Sequence, residues 1–578
     1  MAANHLLRDF PSVSTESWEE VIRKDLKGAD YAKKLVWQTD EGLAVKPYYR
    51  AQDLEDLDYL SSPPGVFPYV RGTRASGGWR IREEIDEVDA GKANDAACRA
   101  LVAGAEEIAF CNVEINSASD LKILLANLAE IPVHFQSADE KLLRLLIEKK
   151  PLSLVTTSMD PFTNLSFAAD IIGAEPVALA PFTIQGEEFE ESGATAVQEV
   201  GFALAAGIDF LAAMQSADLD ANKASASITF SFSIGSSYFF QIAKLRAFRA
   251  LWALAVESFR GNQESARARI HARTSRWNET IYDPHVNILR ATTEAMSAAI
   301  GGADSISVAP FDECYKRPDE TSRRIARNIQ ILLKEEALLG RVSDPGGGAY
   351  CIEAITDFIA RHAWKAMQEI EAAGGYQKAK ADGSVARALA KSLALKEKAV
   401  LHRRRIFTGT SQHANLSEKA LPRIDLSRTS LGRRAADEYE RLRLRTENAT
   451  AKSGKTPRVL LAEMGDVKMR SARSNFAANF FGCAGFDIKT QYFDKVDGVA
   501  GSEVDIIVLC SSDPEYPLLA TALIAKLTEM NRKTPVIVAG YPDSFEQILA
   551  LGVADFVHIR SNPIELLTKW QQQLGIES

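Results

Sequence analysis

The sequence predicts an α/β protein of two unlike parts, a closed (β/α)8 barrel followed by a smaller doubly wound parallel sheet. Three observations carry this. Eight short strand patterns alternate with helical patterns over about 260 residues, the size of a TIM barrel. The turn after the first strand lacks the Gly-x-Gly-x-x-Gly that an open dinucleotide-binding sheet would want. The alternation then restarts after a polar stretch and runs through five more strands over residues 458–578.

In chain order, residues 1–75 read as an N-terminal arm. It holds a helix over 18–26, stopped by Asp25-Leu26-Lys27-Gly28, and an extended stretch over 35–49. Residues 76–420 form the barrel. Its strands fall at 79–85, 107–112, 131–136, 152–157, 176–184, 228–234, 270–274 and 305–310, each short and bounded by turn or cap residues. Helices fall at 119–128, 139–149, 193–214, 237–259, 284–300 and 320–339, with a shorter connection, 164–172, after strand four. Phe240, Lys244, Phe248 and Trp252 recur at one-turn spacing and mark the buried stripe of the helix after strand six. An amphipathic helix over 354–373 ends at Gly374-Gly375, and a basic, irregular stretch with Arg403-Arg404-Arg405 follows. Residues 421–457 supply a helix over 431–446, with Leu431, Ala435 and Leu442 on one face, and a polar linker over 448–457.

The last part, 458–578, has strands at 458–462, 487–493, 505–510, 535–539 and 555–559. Helices fall at 471–481, 517–530, 544–551 and 563–574. Five parallel strands with helices between them predict a flavodoxin-like sheet.

Composition narrows the function classes. The 578 residues are 46% hydrophobic and 25% charged, as in a soluble globular protein. The net charge of −9 argues against nucleic-acid binding. The sequence reads without an apolar run of membrane-spanning length, and the first ten residues lack the apolar core of a secretory signal, so a cytoplasmic location is expected. Six scattered cysteines form no Cys-x-x-Cys pair; reduced, buried thiols and no metal site are expected.

Several motifs have plain readings. Gly454-Lys455-Thr456 resembles the end of a phosphate-binding loop, but Ala449 stands where the first glycine belongs, and a strand follows instead of a helix. Gly346-Gly347-Gly348 reads as a turn entering a short strand at Ala349-Tyr350-Cys351. His134 lies within a strand. His271 reads as lying towards the end of strand seven, where barrel active sites sit, although a structural role is favoured. Arg403–Arg405 and the group Arg441, Arg443, Arg445 read as a solvated helix face or a subunit contact.

The most informative segment is Gly465-Asp466-Val467-Lys468-Met469-Arg470-Ser471-Ala472. It follows the apolar run Val459–Ala462 and opens a helix, which is the strand-to-helix turn where doubly wound sheets bind ligands. Its surroundings resemble the cobalamin-binding domain of methylmalonyl-CoA mutases. In that family the turn carries Asp-x-His-x-x-Gly, and the histidine ligates cobalt. The corresponding residues are Val467, Met469 and Ala472. A thioether is a poor substitute for imidazole, and valine cannot orient a ligand. The resemblance extends over nearly the whole chain. It includes Pro64-Gly65-Val66-Phe67-Pro68-Tyr69-Val70-Arg71-Gly72, Ile242–Ala247, Arg324–Asn328, and Asp344-Pro345 with its glycines.

The catalytic positions depart from the family. Active chains read Trp-Thr-Ile-Arg-Gln-Tyr-Ala-Gly at strand one, and Glu84 takes the tyrosine position. They carry Gly-Tyr-His-Met-Gln-Glu after strand five, and Glu188 takes the histidine position. After strand seven they read His-Cys-Gln-Thr-Ser-Gly; here His271, Thr274 and Ser275 persist, while Arg273 and Arg276 are new. Radical rearrangement needs a dry, neutral pocket that fixes one carbonyl, and these charges remove it.

The resemblance therefore implies the small (β) chain of a heterodimeric mutase. A large (α) catalytic subunit would carry adenosylcobalamin and interconvert (R)-methylmalonyl-CoA and succinyl-CoA in propionate metabolism. This chain would bind no cofactor. Two alternatives stay open: a scaffold or regulatory pseudoenzyme that binds a mutase or its chaperone transiently, and an enzyme with different acyl-CoA chemistry. Four charges at one barrel mouth cannot stay desolvated and unpaired. At least one carboxylate–guanidinium pair is therefore expected among Glu84, Glu188, Arg273 and Arg276.

Overall fold

A computed structural model describes residues 13–149, 153–174, 178–425 and 433–576. The barrel closes. Its eighth strand, Ser305–Ser307, pairs in parallel with both the first, Arg80–Ile85, and the seventh, Ile270–Thr274. Between them lie Glu107–Phe110, Val133–Phe135, Val155–Met159, Leu179–Gln185 and Ile228–Ile234. Leu152 and Pro176, where strands four and five were expected to begin, lie outside the described residues.

Side chains alternate along each strand. The outward set is apolar: Ile108, Phe110, Val133, Phe135, Val155, Phe182, Phe230, Phe232 and Ile270 are buried under the helices. Phe230 meets Phe248 and Trp252 edge-on at 4.6 and 4.8 Å. A Cβ on Gly207 would lie 2.5 Å from the Trp252 ring, so only glycine allows the Ala196–Ser216 helix to come this close. Lys244 shares the same buried stripe because its ammonium donates to Glu199 at 2.6 Å. Contrary to expectation, the Ala196–Ser216 helix is long and apolar enough to cross a membrane. It is 67% buried against its neighbours, as a core helix is.

The remaining differences lie outside the strands. The Gly346–Gly348 turn enters a helix, Tyr350–Ala372, not a strand, so Cys351 is helical. Two further helices, Tyr376–Ala381 and Ser384–Leu401, occupy the stretch read as irregular. The expected linker is mostly helix: Asp437–Ser453 runs on until Gly454 ends it at φ 72°. Its middle is held by Gln571, which donates to the Leu442 carbonyl at 2.6 Å and to Thr446 at 2.9 Å. Arg443 on this helix is 2% exposed and stacks 4.0 Å from Tyr282, so it is no solvated face. Leu431 lies outside the described residues. In the arm, the helix is Thr15–Asp25, and the extended stretch contains a hairpin of Trp37–Gln38 with Ala44–Val45.

The second sheet is parallel, in the order Asp487–Tyr492, Arg458–Glu463, Ile506–Cys510, Val536–Ala539, Asp555–Val557. This is the 2-1-3-4-5 flavodoxin-like order, with its switch point between the first and third strands.

Candidate functional site: a charged barrel mouth and a filled crevice

The barrel interior departs from the packed branched layers usual in this fold. Alternation turns Arg82, Glu84, His134, Thr183, Gln185, Thr229, Ser231, His271 and Arg273 towards the axis, where they line a polar cavity of about 160 Å³. The hydroxyls of Thr229, Ser231 and Ser307 find no partner among the described residues.

Ion pairs stand at both ends of the barrel interior. Near the start of strand one, Glu107 accepts from Arg80 Nε at 2.7 Å and from Arg82 Nε at 2.6 Å. At the mouth, Arg273 grips Glu84 through two bonds, Nε–Oε1 at 2.8 Å and Nη2–Oε2 at 3.1 Å. The same guanidinium reaches Glu313 at 2.9 Å. Arg276 donates to Glu313 at 2.7 Å and lies 3.8 Å from Glu191. Burial alone would raise the Glu84 carboxyl, but Arg273 overrides it and holds the group below its usual range. At Glu313 burial is outweighed by Arg273 and Arg276, and the carboxyl is held at about 2. The mouth is therefore bridged by charged, mutually neutralised groups.

The expected carboxylate–guanidinium pair forms, with one member replaced. Glu188 does not join it. It sits in the short helix Gly186–Glu191 after strand five, on the lining of the same cavity, but it is exposed and makes no salt bridge among the described residues. Glu313 takes its place. The sequence held the signal, because Glu313 lies just beyond the eighth predicted strand, where the same rule would have found it. His271 is also misplaced by the sequence reading. It is the second residue of Ile270–Thr274 and lies towards the strand's start, with Nδ1 2.9 Å from Ser305 Oγ. Burial and then Arg82 hold its imidazole well below the usual value, so it is neutral.

The turn in the second sheet also differs from a simple degenerate loop. Asp466 caps a helix, Val467–Gly482, by accepting from the Met469 amide at 2.8 Å. Met469 and Ala472 are therefore helical, and the helix begins earlier than the sequence suggested. Glu515 bridges the two turns at the switch point. One oxygen of Glu515 accepts from Ser511 Oγ at 2.7 Å, Ser512 Oγ at 2.6 Å, and the amides of Asp466 and Ser512 at 3.2 Å. The two serine hydroxyls, foremost, hold this carboxyl at about 2. A Cβ on Gly465 would lie 2.3 Å from the same carboxylate. Neither Val467, which is 65% exposed, nor the Met469 thioether offers a nitrogen ligand, and no cluster that could hold a metal occurs among the described residues. These residues do not fit cobalamin.

Residues from three of the resembling segments, Arg71, Arg246 and Asp344, build a separate buried lock away from the mouth. Arg246 donates to Asp344 at 2.7 and 2.9 Å and to Glu353 at 2.6 Å, and Arg71 approaches both carboxylates. Arg249 donates to the carbonyls of Tyr69 at 3.1 Å and Gly301 at 2.7 Å, joining the arm to the barrel just before strand eight.

Comparison with known proteins agrees. The profile of the methylmalonyl-CoA mutase family matches residues 38–161 and 156–456. The methylmalonyl-CoA mutase small subunit of Porphyromonas gingivalis is 37% identical, with 99% of each chain covered. The small subunit of Streptomyces virginiae is 30% identical, covering 99% of this chain and 98% of that one. The methylmalonyl-CoA mutase of Escherichia coli is 31% identical over 75% of this chain and 69% of its own. With its closed barrel, its second parallel sheet and relatives matching end to end, this chain belongs to the methylmalonyl-CoA mutase family.

Proposed function

We propose that this chain is the non-catalytic small subunit of a heterodimeric, adenosylcobalamin-dependent methylmalonyl-CoA mutase. Its role is to support a large subunit that interconverts (R)-methylmalonyl-CoA and succinyl-CoA. The observation that carries the reading is the Arg273 fork between Glu84 and Glu313. It crosses the route a thioester would take into the barrel. It also leaves about 160 Å³, below the roughly 300 Å³ at which ligand pockets begin. The switch point bridged by Glu515 supports placing the cofactor on the partner instead. The names of the full-length relatives support the subunit role. The residues at the mouth exclude substrate; they do not bind or turn it over. A cytoplasmic site of action fits free cysteines and the absence of disulfides among the described residues.

Mixing the purified chain with the large subunit tests the reading. A single species of summed mass is expected at micromolar concentration, with mutase activity found only when the large subunit is present. Separate elution of the two chains would contradict stable assembly and favour a transient scaffold.

A further inference from the structure

The deep half of the barrel cavity lies apart from the ion pairs of the mouth, and its chemistry is of one sign. The four carboxylates of the cavity lining, Glu84, Glu187, Glu188 and Glu191, stand near or beyond the C-terminal ends of strands one and five. Deeper along the strands the lining is Arg82, His134, His271 and small or hydroxyl side chains, with no carboxylate among the described residues.

Two donors open on this space, from strands one and seven, which flank strand eight. Arg82, 5% exposed, spends Nε and Nη2 on Glu107. Its Nη1 has no partner among the described residues and keeps accessible surface, unlike the hydroxyls of Thr229 and Ser231, which are shut away. On an inward-facing side chain that lines the cavity, that surface belongs to the cavity. His271, 6% exposed, is placed the same way: Nδ1 lies 2.9 Å from Ser305 Oγ, and Nε2 is unpaired and accessible. With Ser305 donating to Nδ1, the ring proton sits on Nε2. Burial and then Arg82 hold the imidazoles of His134 and His271 well below their usual range, so both rings are neutral and lie within the field of the guanidinium. Glu107 does not serve Arg82 alone, because Arg80 Nε donates to its other oxygen at 2.7 Å. One carboxylate thus answers two guanidiniums, and a buried charge left short of compensation is costly. An anion in the deep cavity offsets that charge and accepts from both free donors. The cavity, about 160 Å³, has room for roughly five waters, ample for a compact ion and too little for a CoA thioester.

We propose that the deep barrel cavity binds one compact inorganic monoanion, of halide or nitrate size, on Arg82 Nη1 and His271 Nε2. The ion is a structural component of the barrel interior and takes no part in turnover.

Bromide is the probe. Crystals of the full chain soaked in sodium bromide should show an anomalous peak in contact with Arg82 and His271. In solution the thermal midpoint should rise with bromide and level off in the millimolar range. It should stay above the midpoint in gluconate, an anion too large to enter, at the same ionic strength. Arg82→Met keeps the length of the side chain and removes the charge; it should abolish the difference between the two salts. His271→Leu should weaken bromide at least about tenfold, the loss expected for one hydrogen bond to a charged group. If Arg82→Met does not fold, the peak in the parent crystal and the His271→Leu titration decide. The proposal is overturned if bromide peaks appear only outside the cavity, if bromide and gluconate give the same midpoint, or if the variants respond to bromide as the parent does.

Discussion

At the residue scale, Arg273 decides what the barrel mouth can do. It is 10% exposed and serves two carboxylates that are themselves 28% and 11% exposed. Removing it leaves both anions facing each other in a poorly hydrated mouth. Breaking a fully buried pair typically costs 3–5 kcal/mol, and partial exposure of Glu84 reduces that, so Arg273→Met should destabilise the chain by about 2 kcal/mol. A lowered thermal midpoint would register this; an unchanged midpoint would mean the fork is slack. Acid should act through the same cluster. The Glu313 carboxyl is held at about 2, against an ordinary 4.5. A depressed value means that its stabilising contribution is complete above the ordinary value and is lost as the pH falls from about 4.5 towards 2. Glu313→Gln should flatten that part of an acid-unfolding profile, and an identical profile would remove Glu313 from the account. The sequence made the pairing legible, because Glu84, Arg273 and Arg276 sit at strand ends with opposite charges. It could not show that Glu188, exposed on the short helix after strand five, stays out of the pairing while Glu313 enters it.

At the scale of elements, the strands were the most readable part, since a two-residue alternation leaves an unmistakable apolar register. The helices were less so. Ser384–Leu401 mixes alanines and lysines, and only Val385, Leu389, Lys396 and Val400 are buried, too thin a stripe to stand out. The end of Asp437–Ser453 reads as polar linker because the buried residues of the helix stop at Glu447. The sequence reads the second sheet's switch point as unable to ligate cobalt on its missing ligands alone; the structure adds Glu515, whose carboxylate bridges the two turns there. Restoring one histidine with Met469→His should therefore leave cobalamin unbound, because Glu515 still bridges the turns and no carboxylate orients the new ring. Titration followed in the visible spectrum should show no change, and stoichiometric binding would refute this account of the switch point. Asp466→Ala should lose about 1 kcal/mol through the missing helix cap.

At the scale of the whole molecule, both folded units keep the family's architecture while the residues at both sites differ from the pattern of active chains. The Arg246 lock and the Arg249 contacts still hold arm and barrel together, and the second sheet still has its full strand order. On the proposed reading, that retained shape serves assembly with the large subunit. Obligate interfaces of this sort typically bury more than ~2,000 Å², so the assembled pair should resist dilution well below micromolar concentration. The central claim is that the closed mouth makes this chain inert by itself. The most direct measurement is succinyl-CoA formation from (R)-methylmalonyl-CoA by the purified chain, supplied with adenosylcobalamin and free of any large subunit. The account predicts no product above background, with turnover appearing on addition of the large subunit. Sustained turnover by the chain alone would contradict it.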